Sequence, residues 1–182
     1  MGVTVQGIGQ TFTIDNGHTA VTSKVMRFGV VKVVGRFNSV SGTVNYSASD
    51  PSKTSADITV LTESYSANNP DGENAVKSPA FLDVKNYPEI KFSIKSLTKS
   101  GQTFTVVAEI TMHGMTKEAT FPVTITGPAL DIATQRQSIG VSGILTINRQ
   151  DFGIRMSAKL PTGGMVIGNE VEIEINALAI AR

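Results

Sequence analysis

The sequence predicts an all-β fold: an extended antiparallel barrel of about eight strands with one short helical excursion. Three observations predict it. Apolar and polar residues alternate with a period of two in stretch after stretch, the spacing of strands with one buried and one wet face. Short glycine-containing segments join successive alternating runs, which makes consecutive strands antiparallel neighbours. No segment carries a strong helical stripe able to cover a second sheet face, so closure is the economical way to bury one apolar side and abolish the edges. A two-sheet sandwich is the competing architecture. The length of 182 residues fits one domain spanning 1–182.

The elements follow in chain order. Phe12 to Asp15 is a short strand, and Val21 to Phe37 is a long β-rich stretch in which Gly29 and Gly35 mark bends or bulges. Val44 and Tyr46 alternate with polar neighbours, Asp50-Pro51-Ser52-Lys53 has turn chemistry, and Ala56 to Leu61 resumes the alternation. The pattern breaks over Asn68 to Tyr87, where Glu73 to Lys77 can make one or two helical turns and the rest covers one end of the sheet. Strands return at Ile90–Ser96, Thr103–Met112, Ala119–Thr126, Ser138–Ile147 and Val171–Ile180. The hairpin segments are Lys99-Ser100-Gly101-Gln102 and His113-Gly114-Met115-Thr116-Lys117, and a glycine-rich connection runs from Arg149 to Asn169. Register is pinned most firmly in the last strand. There Val171, Ile173 and Ile175 interleave with Glu170, Glu172 and Glu174, and a one-residue slip would bury the carboxylates.

Composition narrows the function. The chain has 16 Lys plus Arg against 15 Asp plus Glu and lacks a dense basic run with interleaved aromatics, which argues against nucleic acid as a partner. Without cysteine there is no disulfide, thiolate nucleophile or cysteine metal site. The 2 histidines are far apart and in no metal-ligand spacing, no Gly-x-Ser-x-Gly elbow occurs, and Gly7 and Gly9 open no helix. The expectation is no catalytic residue, no metal, no catalytic cofactor and no enzyme. The start lacks a secretory signal pattern, and no run approaches the roughly 18 apolar residues of a membrane span. Localisation is therefore expected to be cytoplasmic, or periplasmic or secreted if an export signal was removed.

Parity places Ile58 and Val60, Phe92 and Ile94, Phe104, Val106 and Met112, Phe121 and Val123, Ile139 and Val141, and Ile173 inside. Such an interior either packs solid or holds an apolar ligand, because a water-filled cavity needs polar partners. With no Trp, 8 Phe and 3 Tyr, it is mostly aliphatic. Arg27 shares the inward parity of Val25, and Arg149 continues that of Ile147 where the strand ends. Each either meets a ligand head group at a tunnel mouth or serves structure: Arg27 through a buried ion pair, Arg149 by bracing the long loop with Asp151. His113 and His18 read as turn and strand-start residues.

Several segments carry a resemblance: Phe12-Thr13-Ile14-Asp15 with His18-Thr19; Gly35-Arg36-Phe37; Asp50-Pro51-Ser52-Lys53; Lys77 to Phe92, including Ser78-Pro79-Ala80-Phe81 and Asn86-Tyr87-Pro88; Ile110 to Lys117; and Ile147-Asn148-Arg149-Gln150-Asp151-Phe152-Gly153-Ile154. In this order the chain resembles the YceI family of polyisoprenoid-binding, lipocalin-like proteins from about Phe12 to Ala179. The resemblance implies a long apolar tunnel holding an isoprenoid lipid, ubiquinone-like or polyprenyl, with no established catalysis. It makes Val25 and the inward residues above the tunnel-lining candidates. Two departures bear on head-group preference: Arg27 stands where the family usually has histidine, and Gly72-Glu73 stands in place of an Arg-Asp pair.

Binding and carriage of such a lipid is the expected function. A non-catalytic module with a solid core, excised from a larger secreted protein, and an enzyme acting on a bound isoprenoid are the alternatives. Pairing of two copies is open. Burying a prenyl tail gives roughly 25 cal/mol per Å² before ordering costs, so affinity is expected to scale with tail length more than with head group.

Overall fold

The alternating runs pair into one continuous antiparallel sheet in a computed structural model that describes residues 9–182. Gly7 and the rest of the opening stretch lie outside the described residues. In chain order the strands are β1 (Gln10–Arg27), β2 (Val31–Phe37), β3 (Val40–Tyr46), β4 (Ser55–Leu61), β5 (Tyr65–Ser66), β6 (Glu89–Ser100), β7 (Thr103–Met112), β8 (Met115–Asp131), β9 (Arg136–Asn148) and β10 (Ile167–Ala181), with helix α1 (Pro70–Lys77) after β5. β10 pairs back onto β1 from Phe12↔Ala181 to Arg27↔Ile167, which closes the sheet. β2 and β3 run along the two halves of β1 as a single bent strand, and β5 and β4 do the same beside them. The result is a closed eight-stranded antiparallel barrel.

The stretch Val21–Phe37 is therefore two strands. Its first bend is a hairpin turn at Phe28-Gly29, where φ is 54° and 69°, and His113-Gly114 turns with the same hand at 52° and 75°. Gly35 makes no bend. It faces inward in β2, and a Cβ there would overlap the ring and hydroxyl of Tyr65. β1 also crosses the expected gap after Asp15. Between the pairs Asp15↔Leu178 and Ala20↔Asn176 it takes five steps against two on β10. That bulge of three residues flips parity: Phe12 and Ile14 point inward before it, Thr19 and Val21 after it. Asp15 holds it together, accepting from Gly17 N at 2.9 Å and meeting His18 Nδ1 at 2.7 Å, while Thr19 Oγ1 donates to the Asp15 carbonyl.

The excursion folds because its first residues cap it. Asn69 accepts from the amides of Asp71 and Gly72, Pro70 supplies a preset φ, and Glu73 bonds Lys77 one turn on at 3.2 Å, so helix starts three residues before Glu73. Glu73 also accepts from Ala67 N, tying α1 to β5. Leu82 behind the helix and the edge-to-face pair Phe37–Tyr65, 5.4 Å apart, are buried at this end of the barrel. The opposite end is closed by Phe12, Tyr46, Leu97, Phe104 and Ala181, all buried. Among the described residues no helix is long and apolar enough to cross a membrane.

One pair of neighbours does not stay together. β8 pairs with β9 from Val123↔Gly143 to Asp131↔Arg136, whereas Met115–Pro122 pairs only with β7 and Ile144–Asn148 only with β10. The ladder stops at Pro122, which has no amide hydrogen to give. Past that point the wall is parted.

Candidate functional site

The inward faces of the strands leave a hollow of about 180 Å³ at the middle of the barrel. Its wall is aliphatic and aromatic apart from the Met112 thioether, Thr19, Thr54 and Gly143. Ile58, Ile90, Phe92, Ile94, Val141, Ile173 and Ile175 point inward and yet are only half-buried, because they border empty space rather than packed neighbours. In a core packed to ordinary density, inward residues would be shut away completely. Val141 shows how the room arises: its partners across the two ladders are Ile125 and the small Ala177.

The two wall hydroxyls differ. Thr19 Oγ1 is satisfied by the bulge, donating to the Asp15 carbonyl and accepting from Leu178 N at 3.3 Å. Thr54 Oγ1 is buried with no hydrogen-bond partner. Among the described residues the wall supplies no carboxylate, imidazole or amine, so what they form can hold an apolar body by burial and shape.

Most sequence-predicted lining residues border this hollow: Ile58, Val60, Phe92, Ile94, Val106, Met112, Phe121, Val123, Ile139, Val141 and Ile173. Phe92 and Phe121 meet there with ring centroids 6.2 Å apart. Phe104 lies deeper, buried in the closed end, and Val25 does not border the chamber: it sits in β1 between Val33 of β2 and Val171 of β10. Arg27 is not inside. The register against β10 shifts between Val25 and Arg27, and the guanidinium sits exposed over its neighbour Phe28, 4.1 Å from the ring centre.

Arg149 is buried, 3% exposed, and aims at backbone rather than at the chamber. It donates to the carbonyls of Gly168 at 2.9 Å and Ile154 at 2.8 Å, and to Asn169 Oδ1 at 3.0 Å, with Ile167 O at 3.4 Å. It therefore pins both ends of the long connection, and burial lowers its pKa from the ordinary arginine value while leaving it a cation. His113 stacks on Tyr87 of the excursion, 4.3 Å between ring centres, and holds that segment to the barrel.

Residues the parity argument passed over also line the hollow. Ile14 and Thr19 fall on either side of the bulge, whose length only pairing with β10 reveals. Phe37, Val40 and Val44 belong to the bent β2–β3 strand, and Thr54 and Ala56 follow the 3-10 turn Pro51–Lys53. A period-two reading of each whole run would have found Val40 and Val44.

The comparisons agree with this architecture. The chain is 31% identical over 166 residues to the UPF0312 protein SA2479 of Staphylococcus aureus strain N315, covering 91% of this chain and 95% of that one. Its fold is similar to the crystal structure of Burkholderia cenocepacia BcnA, with a TM-score of 0.79 and 20% identity over 91% of this chain and 98% of that one. It is also similar to a structure described as a polyisoprenoid binding domain from Saccharophagus degradans implicated in plant cell wall breakdown, with a TM-score of 0.73 and 12% identity over 95% and 99% of the two chains. The YceI-like domain matches residues 12–179, nearly the whole barrel from Phe12 at its closed end to Ala179 beside it. With that span and those strands, the chain belongs to the YceI-like family.

Proposed function

We propose that this protein binds and carries an isoprenoid lipid, of the quinone or polyprenyl type, with its tail in the apolar chamber. One observation carries the reading: inward-pointing aliphatic side chains at mid-barrel face an empty, almost wholly apolar space of about 180 Å³. Apolar cavities of about 150 Å³ stay dry and take up benzene. By that measure the chamber as drawn accepts about seven carbons, between one and two isoprene units, so a longer tail must also occupy space outside it. Family membership and the Saccharophagus degradans neighbour, named as a polyisoprenoid binding domain, support the choice of ligand. A carrier needs no chemistry of its own, and a wall with hydroxyls as its only polar side chains is suited to that.

Native mass spectrometry of the purified protein, followed by organic extraction, tests the reading. An extractable prenyl lipid at up to one per chain is the expected result. The lipid-free protein should then bind prenyl alcohols more tightly as the tail lengthens. A protein that carries no lipid and takes up none would leave the barrel as a structural module.

A further inference from the structure

The parted wall between β8 and β9 has a use. A slot of about 350 Å³ lies there, lined by residues of both faces of the two strands, and Phe121, Leu145 and Ile147 border the slot and the chamber alike. The two spaces are therefore separated by side chains and not by backbone. Because among the described residues no strand pairs across the parting, alternate N–H and C=O groups of Lys117–Pro122 and Ile144–Asn148 point into the slot. The 3-10 turn Arg149–Phe152 lies against it, and its Phe152 ring is buried in the slot wall. Arg149, fixed to Gly168, Ile154 and Asn169, holds the base of that turn.

Resting on the proposed lipid-binding function, we propose that this parting is the doorway of the chamber and that the bound lipid keeps its head and outer tail in the slot, with Phe152 as the stopper. It provides the extra room that a tail of more than two isoprene units needs. The slot's charged side chains are Lys117, Glu118 and Asp151, one cation against two carboxylates. With unpaired strand edges beside them, they suit an uncharged hydrogen-bonding head such as a quinone or alcohol and disfavour a phosphate.

The test uses stopped-flow fluorescence with a dansyl-tagged farnesyl probe. The chain has no cysteine, so Thr120→Cys places one thiol in the slot, to be capped by a bulky maleimide after folding, and Ser41→Cys on the opposite wall serves as control. Capping in the slot should slow both loading and release about tenfold and capping at Ser41→Cys should not, while Phe152→Ala should speed both about tenfold with little change in dissociation constant. Unchanged rates with the slot capped and the probe bound would overturn the doorway and leave the chamber standing. Wild-type protein that takes up no probe would overturn the chamber itself. Geranylgeraniol should outcompete geranylgeranyl phosphate for the probe; the reverse order overturns the head-group assignment.

Discussion

Filling the chamber with protein should stabilise the fold and abolish lipid binding together. Val141 borders the hollow and lies between Ile125 and Ala177, so a larger ring at this position has empty space to enter. In a packed core, enlarging a residue costs about 1–3 kcal/mol through off-rotamer side chains and backbone shifts. Into a void the sign reverses, and filling a cavity contributes about 0.5–2 kcal/mol. Val141→Phe is therefore expected to raise the unfolding free energy by about 1 kcal/mol. Ala108→Leu supplies the contrast: Ala108 is 0% exposed and does not border the hollow, so enlargement there should cost about 1–3 kcal/mol. Urea unfolding followed by far-ultraviolet circular dichroism gives both stabilities, and m values confirm that the same surface is exposed. Binding of a geranylgeranyl probe should fall at least tenfold in Val141→Phe, since the ring takes the space of about four carbons of tail, and about 3 kcal/mol of lost burial is roughly twice the 1.4 kcal/mol that a factor of about ten represents. A Val141→Phe protein destabilised as much as Ala108→Leu would mean that the space is not empty. A stabilised variant that still binds the probe at wild-type affinity would mean that the lipid sits elsewhere.

Other perturbations test the wall, the loop and the surface. Thr54→Val replaces the buried, unpartnered hydroxyl by a methyl group and should stabilise the lipid-free protein by about 1 kcal/mol in denaturant melts, with tighter binding of a saturated hydrocarbon probe. Arg149→Met leaves the carbonyls of Gly168, Ile154 and Ile167 without their donor and should cost about 3 kcal/mol or more, with new protease cleavage between Gly153 and Val166; a loss under about 1 kcal/mol would show that the guanidinium does not hold the loop. On the barrel surface, hydrogen bonds from Lys32 and Lys24 hold the Glu172 carboxyl below its ordinary pKa, those from Lys24 and Asn176 do the same for Glu174, and Glu174 and then Glu172 raise Lys24. The carboxylates contribute stability above about pH 4.3 that is lost as pH falls through their lowered values, and Lys24 contributes stability below about pH 10.4 that is lost as pH rises through its raised value. Lys24→Met should flatten both limbs of a plot of melting temperature against pH, and unchanged limbs would show that the cluster carries no linkage.

What the residues determined alone was everything that depends on neighbours along the chain. Alternation set which face of β7, β9, β10 and of β6 as far as Ile94 turns inward, because side chains two apart share a face whatever lies across the ladder. Hairpin chemistry at Lys99–Gln102 and His113–Lys117 set which strands are adjacent, and Glu73–Lys77 marked the helix, although its start at Pro70 shows only in the cap that Asn69 makes. Tertiary structure decided what depends on pairing and on radius. The bulge after Asp15 is an excess counted against β10, so parity alone misses Thr19. Arg27 keeps the parity of Val25 in an unbroken ladder with β2, but it stands at the hairpin end of β1, where it is exposed. For Arg149 the sequence leaves a rim cation and a loop brace both open, and the carbonyls of residues up to 19 positions away that surround it decide for the brace. The hollow and the parted wall lie furthest from local reading. A row of inward valines and isoleucines is the same whether it packs solid or faces empty space, and the difference is set by how widely the closed sheet holds opposite walls apart.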